Sequence, residues 1–216
     1  MLSTSLTMSD LLFLLHGAWV TLQLTFWAML LGTIAGVVFG LLRALMPNAS
    51  RPLGWVLDAF RSVPLLIQFV LFNSLKSIVG LDWSAFAVGC IVLGVYSAAF
   101  CTEIVRSGVL AVPMTVRRAA RSLGLTYSQD LRYIVFPMAT RIAFPGWLNV
   151  VLSTMKDTAL VMWIGIIELL RASQIVVTRI QEPLLVLCIA GLIYYVISLV
   201  VSRLGARLET RWQEND

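Results

Sequence analysis

Lys156 and Asp157 stand side by side inside a stretch, residues 142–167, that is otherwise apolar enough to cross a membrane. Charges in such a setting are rarely turned to lipid; each needs a partner or a water-filled cavity. As neighbours on a helix they point about 100° apart and are poor partners for each other. They lie roughly 22 to 24 Å from Arg141 along one helix, beyond the bilayer midplane. Two arrangements satisfy them. In one, the pair marks a break near the far interface, with Lys156 snorkelling to water and Asp157 capping the next helix. In the other, Asp157 and Thr158 line an interface between subunits, where a carboxylate can receive the α-ammonium group of a substrate. Gln68, in an earlier apolar stretch, either adds a hydrogen bond to that path or bridges two helices.

Other chemistry is sparse. The one histidine, His16, lies in an apolar run, and no Ser or Cys has a base near it in sequence, so covalent catalysis is not expected. Cys90, Cys101 and Cys188 are odd in number and embedded in apolar sequence, and they predict neither a disulfide framework nor a metal site. No GxxxxGK[ST] phosphate loop occurs. Glu103 and Arg106, at i, i+3 spacing, predict an ion pair at a helix end.

The elements that carry these residues follow from composition. Of 216 residues 59% are hydrophobic and 12% charged, with a mean hydropathy of +0.90, so lipid is the main solvent. The net charge of +5 does not point to nucleic acid, because the basic residues punctuate apolar runs. An all-α integral membrane protein is expected, one domain over residues 1–216, with about five spans at 11–42, 55–79, 83–105, 142–167 and 183–203. Arg61 and Lys76 flank the second, with Trp55 as an interfacial anchor. Met1 to Asp10 has no basic region or small-residue cleavage site, and no removable signal peptide is expected.

Orientation follows from arginine. With the N-terminus outside and the C-terminus cytoplasmic, the cytoplasm receives three groups: Arg43, Arg51 and Arg61; the arginines from Arg106 to Arg141; and Arg203, Arg207 and Arg211. The other side keeps Lys76, Arg171 and Arg179, each with Asp82, Glu168 or Glu182 nearby. An odd number of spans disfavours two equal inverted repeats in one chain, so a path between two subunits is the more natural design.

The loop 113–137 between the third and fourth spans predicts two short helices. Val116, Ala119, Ala120 and Leu123 follow amphipathic spacing, while Arg117, Arg118 and Arg121 fall on another face. Gly124 closes the first helix, Thr126 and Gln129 form a capping box for the second, and Pro137 is expected to kink or stop it. The residues alone leave two uses open: arginines touching anionic headgroups, or a protein-docking surface.

Ala119, Ala120, Gly124 and Pro137, with Leu123 and Leu125, resemble the EAA loop of ABC importer permeases. Phe60 to Gln68 and Lys156 to Val161 are similar to the RGTPLLVQ and KDTSLV segments of the polar amino acid branch, and Glu103 to Gly108 with Val112-Pro113 resemble its entry to the loop. The resemblance implies a type I importer permease in a bacterial inner membrane, multi-pass, carrying an amino acid at a permease dimer interface. It implies partners too: a second permease subunit, two ATPase subunits that bind ATP and Mg, and an extracytoplasmic solute-binding protein. No cofactor is expected on this chain. The loop would be the coupling helix, with Ala119, Ala120, Leu123, Gly124, Arg118 and Pro137 at the ATPase. Arg118 departs from the family by standing where Glu is usual, which slightly favours pairing with a different permease chain that carries the Glu. The alternative is an ion-gradient-driven secondary carrier or channel for a small polar solute, with Asp157 as the ion-coupled residue.

Overall fold

The uncharged run after Asp10 folds as α1, Met8–Leu45. Asp10 in its first turn accepts a 2.7 Å hydrogen bond from the Thr7 amide, and Arg43 stands in its last turn, each sign where the helix dipole favours it. In this computed structural model, residues 6–213 are described, and every regular element among them is helical. Part of the Met1–Asp10 stretch, with its signal-peptide expectation, therefore lies outside the described residues.

The most extensive helix contact joins α1 to the helix of the third apolar run, Ala85–Leu110. Three glycines one turn apart make it possible. A Cβ at Gly32 would lie 2.8 Å from the Ser97 Cβ, one at Gly36 2.4 Å from the Cys101 Cβ, and one at Gly40 2.6 Å from the Val105 Cβ. Backbones approach here to a distance that any side chain would prevent, and dispersion across the seam replaces the hydrophobic drive that lipid does not supply.

The stretch 55–79, read from sequence as one span, is broken. α2 (Arg51–Ser62) and α3 (Leu65–Val79) meet at 106°. Pro64 has no N–H to continue a helix and pushes Val63 into extended backbone, φ −82° and ψ 128°. The carbonyls stranded at the end of α2 need donors. Gln68 supplies them: its Nε2 donates to the carbonyls of Phe60 at 2.7 Å and Val63 at 2.8 Å. At 1.5 Å per residue the two helices are about 18 and 22 Å long, so neither alone crosses a hydrocarbon core of about 30 Å.

After the third apolar helix, here α4 (Ala85–Leu110), the punctuation of the loop is realised. α5 spans Met114–Ser122, Gly124 takes a φ of +89°, and α6 (Tyr127–Asp130) follows. The Thr126 amide donates to Gln129 Oε1 at 2.8 Å, and the Gln129 amide to Thr126 Oγ1 at 3.4 Å, which completes the box. Pro137 does not stop the helix. A π turn over Leu131–Val135 widens the chain just ahead of the proline, whose missing N–H would otherwise interrupt the ladder, and α7 (Phe136–Asp157) continues through it.

Beyond α7 a 3-10 segment, Thr158–Ile164, ends at Gly165 with φ +88°. α8 (Leu169–Ile180) and α9 (Pro183–Gln213) complete the chain. Among the described residues, α1, α4, the helix from Tyr127 to Ile164 and α9 are long and apolar enough to cross a membrane, and the bent α2–α3 pair makes up to five. Two apolar clusters fill the end remote from most of the arginines. One joins Leu24, Phe69, Val88 and Val161 from α1, α3, α4 and the 3-10 segment; the other joins Leu14, Leu169, Val176 and Val186 from α1, α8 and α9. A third, Val109, Val112, Val135 and Ala139, closes the arginine-rich end beneath the loop.

Candidate functional site

α7 carries Lys156 and Asp157 to its last turn, where the change from α to 3-10 geometry supplies the break that one reading of the sequence expected. The expected cap is absent. Asp157 makes no capping bond to the 3-10 segment, and its Oδ2 instead accepts a long 3.4 Å bond from Ser153 Oγ one turn back. Lys156 is exposed and Asp157 half-buried. Thr158 parts from them: it is buried, and its hydroxyl donates to the Met155 carbonyl at 2.7 Å. Gln68 is also buried, with its amide nitrogen on α2. Among the described residues no hydrogen bond or ion pair joins Gln68 to Lys156 or Asp157. It borders a cavity of about 320 Å³ walled by apolar side chains of α2, α3 and α4, including Phe60, Phe72 and Val95.

Next to the break stands a carboxylate that sequence reasoning treated only as a neighbour of Arg171. Glu168 is fully buried and precedes α8, where Oε2 accepts from the Leu170 amide at 2.8 Å and Oε1 from the Arg171 amide at 2.7 Å. Tyr194 of α9 donates to the same carboxylate at 3.0 Å, and Thr21 of α1 accepts from the adjacent Leu169 amide at 3.3 Å. A buried charge is tolerable when a helix N-terminus and a phenol satisfy it in this way. An acid directly before an apolar Leu-Leu pair is a helix-start signal that could have found it. Arg179 pairs with Asp10 of α1.

At the arginine-rich end the expected Glu103–Arg106 pair forms at 2.8 Å, and Arg43 of α1 joins it at 2.9 Å. Helix α2 lies beside this group, with Arg61 paired to Asp58 at 2.6 Å. The loop beyond is held by a residue the sequence did not single out. Asp130 is fully buried and accepts from Arg117 Nε and Nη2 at 3.1 and 2.9 Å. Arg121 approaches the same carboxylate at 3.9 Å while its guanidinium lies over the Tyr127 ring, 5.2 Å from the centroid. With that clasp closed, the apolar face of α5 is not turned inward as a whole. Ala120 is buried, but Val116, Ala119 and Leu123 are exposed, Leu123 by 83%. Arg118 and Gly124 are exposed beside them.

The sequence profile of the family described as "Binding-protein-dependent transport system inner membrane component" matches residues 12–214. The chain is a member of that family. Among its relatives, the arginine transport system permease protein ArtQ of Bacillus subtilis is 29% identical, the alignment covering 100% of this chain and 99% of the relative. The nopaline transport system permease protein NocM of Agrobacterium fabrum is 35% identical over 85% of this chain and 81% of its own length. A probable glutamine ABC transporter permease protein, GlnP of Bacillus subtilis, is 33% identical over 93% and 94%. Among solved structures, an amino acid ABC transporter crystallised with histidines superposes with a TM-score of 0.83 at 28% identity, covering 96% of this chain and 99% of that one. A subunit of the MetNI methionine ABC transporter in an inward-facing conformation superposes with a TM-score of 0.79 at 20% identity, which speaks for the fold.

The binding-protein-dependent family places this chain as a permease component of an ABC transport system in the inner membrane, with the type I importer fold. Its relatives are transport components, not enzymes. For such a component, the loop with an exposed apolar end and the charged turn at the end of α7 are the two places where chemistry collects.

Proposed function

We propose that this chain is the membrane-spanning subunit of an ATP-driven importer for a polar amino acid, with its N-terminus outside and its C-terminus in the cytoplasm. It forms the substrate path against a second permease subunit and couples to two separate ATPase subunits through the loop 113–137. The ATPases bind ATP and Mg, and an extracytoplasmic binding protein delivers the amino acid.

The observation that carries the coupling role is Leu123, 83% exposed at the end of α5 beside Gly124 at φ +89°. A large apolar side chain on a loop already braced by Asp130 does nothing for the chain's own core. It suits a knob for a groove in another protein. The orientation is supported by arginine, which gathers at the end where α1, α4 and α9 finish. The substrate class is supported by relatives named for arginine, L-cystine and glutamine.

Transport then proceeds by alternating access. ATP binding draws the two ATPases together, the coupling loops move with them, and the path between permeases opens outward; hydrolysis and release return it inward. On that path Asp157, exposed in part near the outer end of α7, receives a substrate ammonium, and Lys156 beside it faces a carboxylate. Thr158 and Gln68 act as supports: Thr158 fixes the turn and Gln68 the bend.

Liposomes test this directly. Uptake of amino acid is expected only with ATPase, ATP and binding protein all present. Uptake by the chain alone under an ion gradient would overturn the reading in favour of a secondary carrier. Thermal-shift screening of the binding protein against amino acids identifies the cargo.

A further inference from the structure

Arginines from three helices meet at one cleft. Arg43 of α1, Arg51 at the start of α2 and Arg106 of α4 line a cavity of about 190 Å³, with Ser50, Gly54 and Asp58 between them. Arg43 lies close against α2 because Gly54 has no side chain; a Cβ there would lie 3.0 Å from the Arg43 Nη2. Two carboxylates stand by. Glu103 accepts from Arg43 Nη1 at 2.9 Å and from Arg106 Nη2 at 2.8 Å, and Asp58 accepts from Arg61 Nη2 at 2.6 Å. Four arginines against two carboxylates leave the group positive, and each guanidinium has five N–H donors, more than these bonds use. Arg51 is exposed and has no ion pair among the described residues. The helix adds to the same sign. Ser50 does not cap α2, since its hydroxyl donates to the Met46 carbonyl at 2.7 Å, and the uncapped first turn of α2 lines the cavity with the positive end of its dipole.

The depth of the cleft follows from α4. From Ala85 to Thr102 that helix carries no charge over a length of about 27 Å, so Glu103 and Arg106 stand where hydrocarbon gives way to headgroups. α2 has the form of an interfacial helix. It meets α3 at 106° and carries Arg51, Asp58 and Arg61, whereas α3 is uncharged from Leu65 to Leu75. Pro52, Trp55, Val56 and Ala59 are spaced for one face and are all exposed, and Trp55, at 74%, is of the type that settles at the headgroup boundary. An apolar stripe beside a positive cleft at this depth matches a molecule with acyl chains and an anionic head. A soluble anion would fill the cleft and leave the stripe bare.

We propose that the cleft binds the phosphate of an anionic phospholipid, with the head held by Arg43, Arg51 and Arg106 and the chains lying along the outer face of α2. A lipid held there ties α2 to the ends of α1 and α4. The site requires only that the chain lies in a membrane, and it is separate from the loop 113–137 and from the charged turn at the end of α7.

The test uses the full chain in neutral detergent, titrated with phosphatidylglycerol, with phosphatidylcholine or with inorganic phosphate. Native mass spectrometry reads the lipid retained per chain, and thermal unfolding is followed in parallel. Phosphatidylglycerol is expected to be retained in preference to phosphatidylcholine and to raise the melting temperature. Arg51→Gln is expected to lower that preference about fivefold, the scale of one arginine at an anionic surface, and Arg51→Lys to keep most of it. Because the preference is a ratio of two lipids on the same variant, a general loss of folded chain cancels. Arg203→Gln, which removes one charge from α9 instead, is expected to change the ratio less. Equal retention of the two lipids by the wild-type chain would overturn the site. An effect of Arg51→Gln no larger than that of Arg203→Gln would show diffuse attraction and overturn it as well. If inorganic phosphate at the same concentration stabilises the chain as much as phosphatidylglycerol does, the cleft takes a free anion and the lipid assignment is wrong.

Discussion

The seam between α1 and α4 and the faces of α7 and α9 are all apolar enough for lipid and opposite in use. Along the apolar stretch of α4, 61% of the residues are buried within the chain; along those of the Tyr127–Ile164 helix, which contains α7, and of α9 the figure is 11%. The difference lies in side-chain size. Gly32, Gly36 and Gly40 let two backbones meet, whereas α9 presents Leu184, Leu192 and Tyr195 outward. Hydropathy is blind to this, because lipid accepts both kinds of face. The chain packs α1 and α4 against each other and leaves much of α5, α7 and α9 uncovered by its own residues.

The contrast can be broken most severely at the seam. Gly36→Leu puts a branched side chain where a Cβ alone would lie 2.4 Å from the Cys101 Cβ, and a loss of about 3 kcal/mol, with poor yield of folded protein in detergent, is expected. An unchanged melting temperature would mean that the seam is looser than the geometry requires. Glu168→Ala, at the junction of α1, α8 and α9, strands the amides of Leu170 and Arg171 and the Tyr194 hydroxyl. A loss of about 2 kcal/mol follows, and Glu168→Gln should recover part of it in the same thermal unfolding assay.

Smaller effects sharpen the comparison. Ser97 and Thr154 hydrogen bond at 2.9 Å between α4 and α7, and Ser97→Ala is expected to cost about 0.6 kcal/mol, the usual scale for a polar pair between membrane helices. At the other extreme, Leu123→Ala should leave stability within about 0.5 kcal/mol while ATP-driven uptake in liposomes falls. A melting temperature that dropped with it would place Leu123 in the chain's own core and not on a docking surface.

Much of this was legible beforehand, for physical reasons that vary by residue. The capping box at Thr126 and the left-handed turn at Gly124 were readable because each is satisfied by atoms a few residues away. The Glu103–Arg106 pair was readable on the same ground, whereas Arg43, which completes it, is 60 residues distant in the chain. Gln68 had two uses open in the sequence, a hydrogen bond on a path or a bridge between two helices, and only the bend at Pro64 shows the bridge, its amide nitrogen committed to two carbonyls at the end of α2. Pro137 showed the same limit, since a π turn ahead of it spared the helix.

By itself the sequence determined that this chain lives in lipid, that it is all-helical and which end gathers the arginines, because transfer free energy and backbone satisfaction act on each segment independently of the others. Only the tertiary structure decided which charges are spent and which remain free. Asp130 is closed off by two arginines of α5 and Glu168 by donors from α8 and α9, Thr158 turns inward while its neighbour Lys156 stays exposed, and Arg118 is left exposed. Those outcomes depend on distances between residues far apart in the chain, which no local pattern encodes.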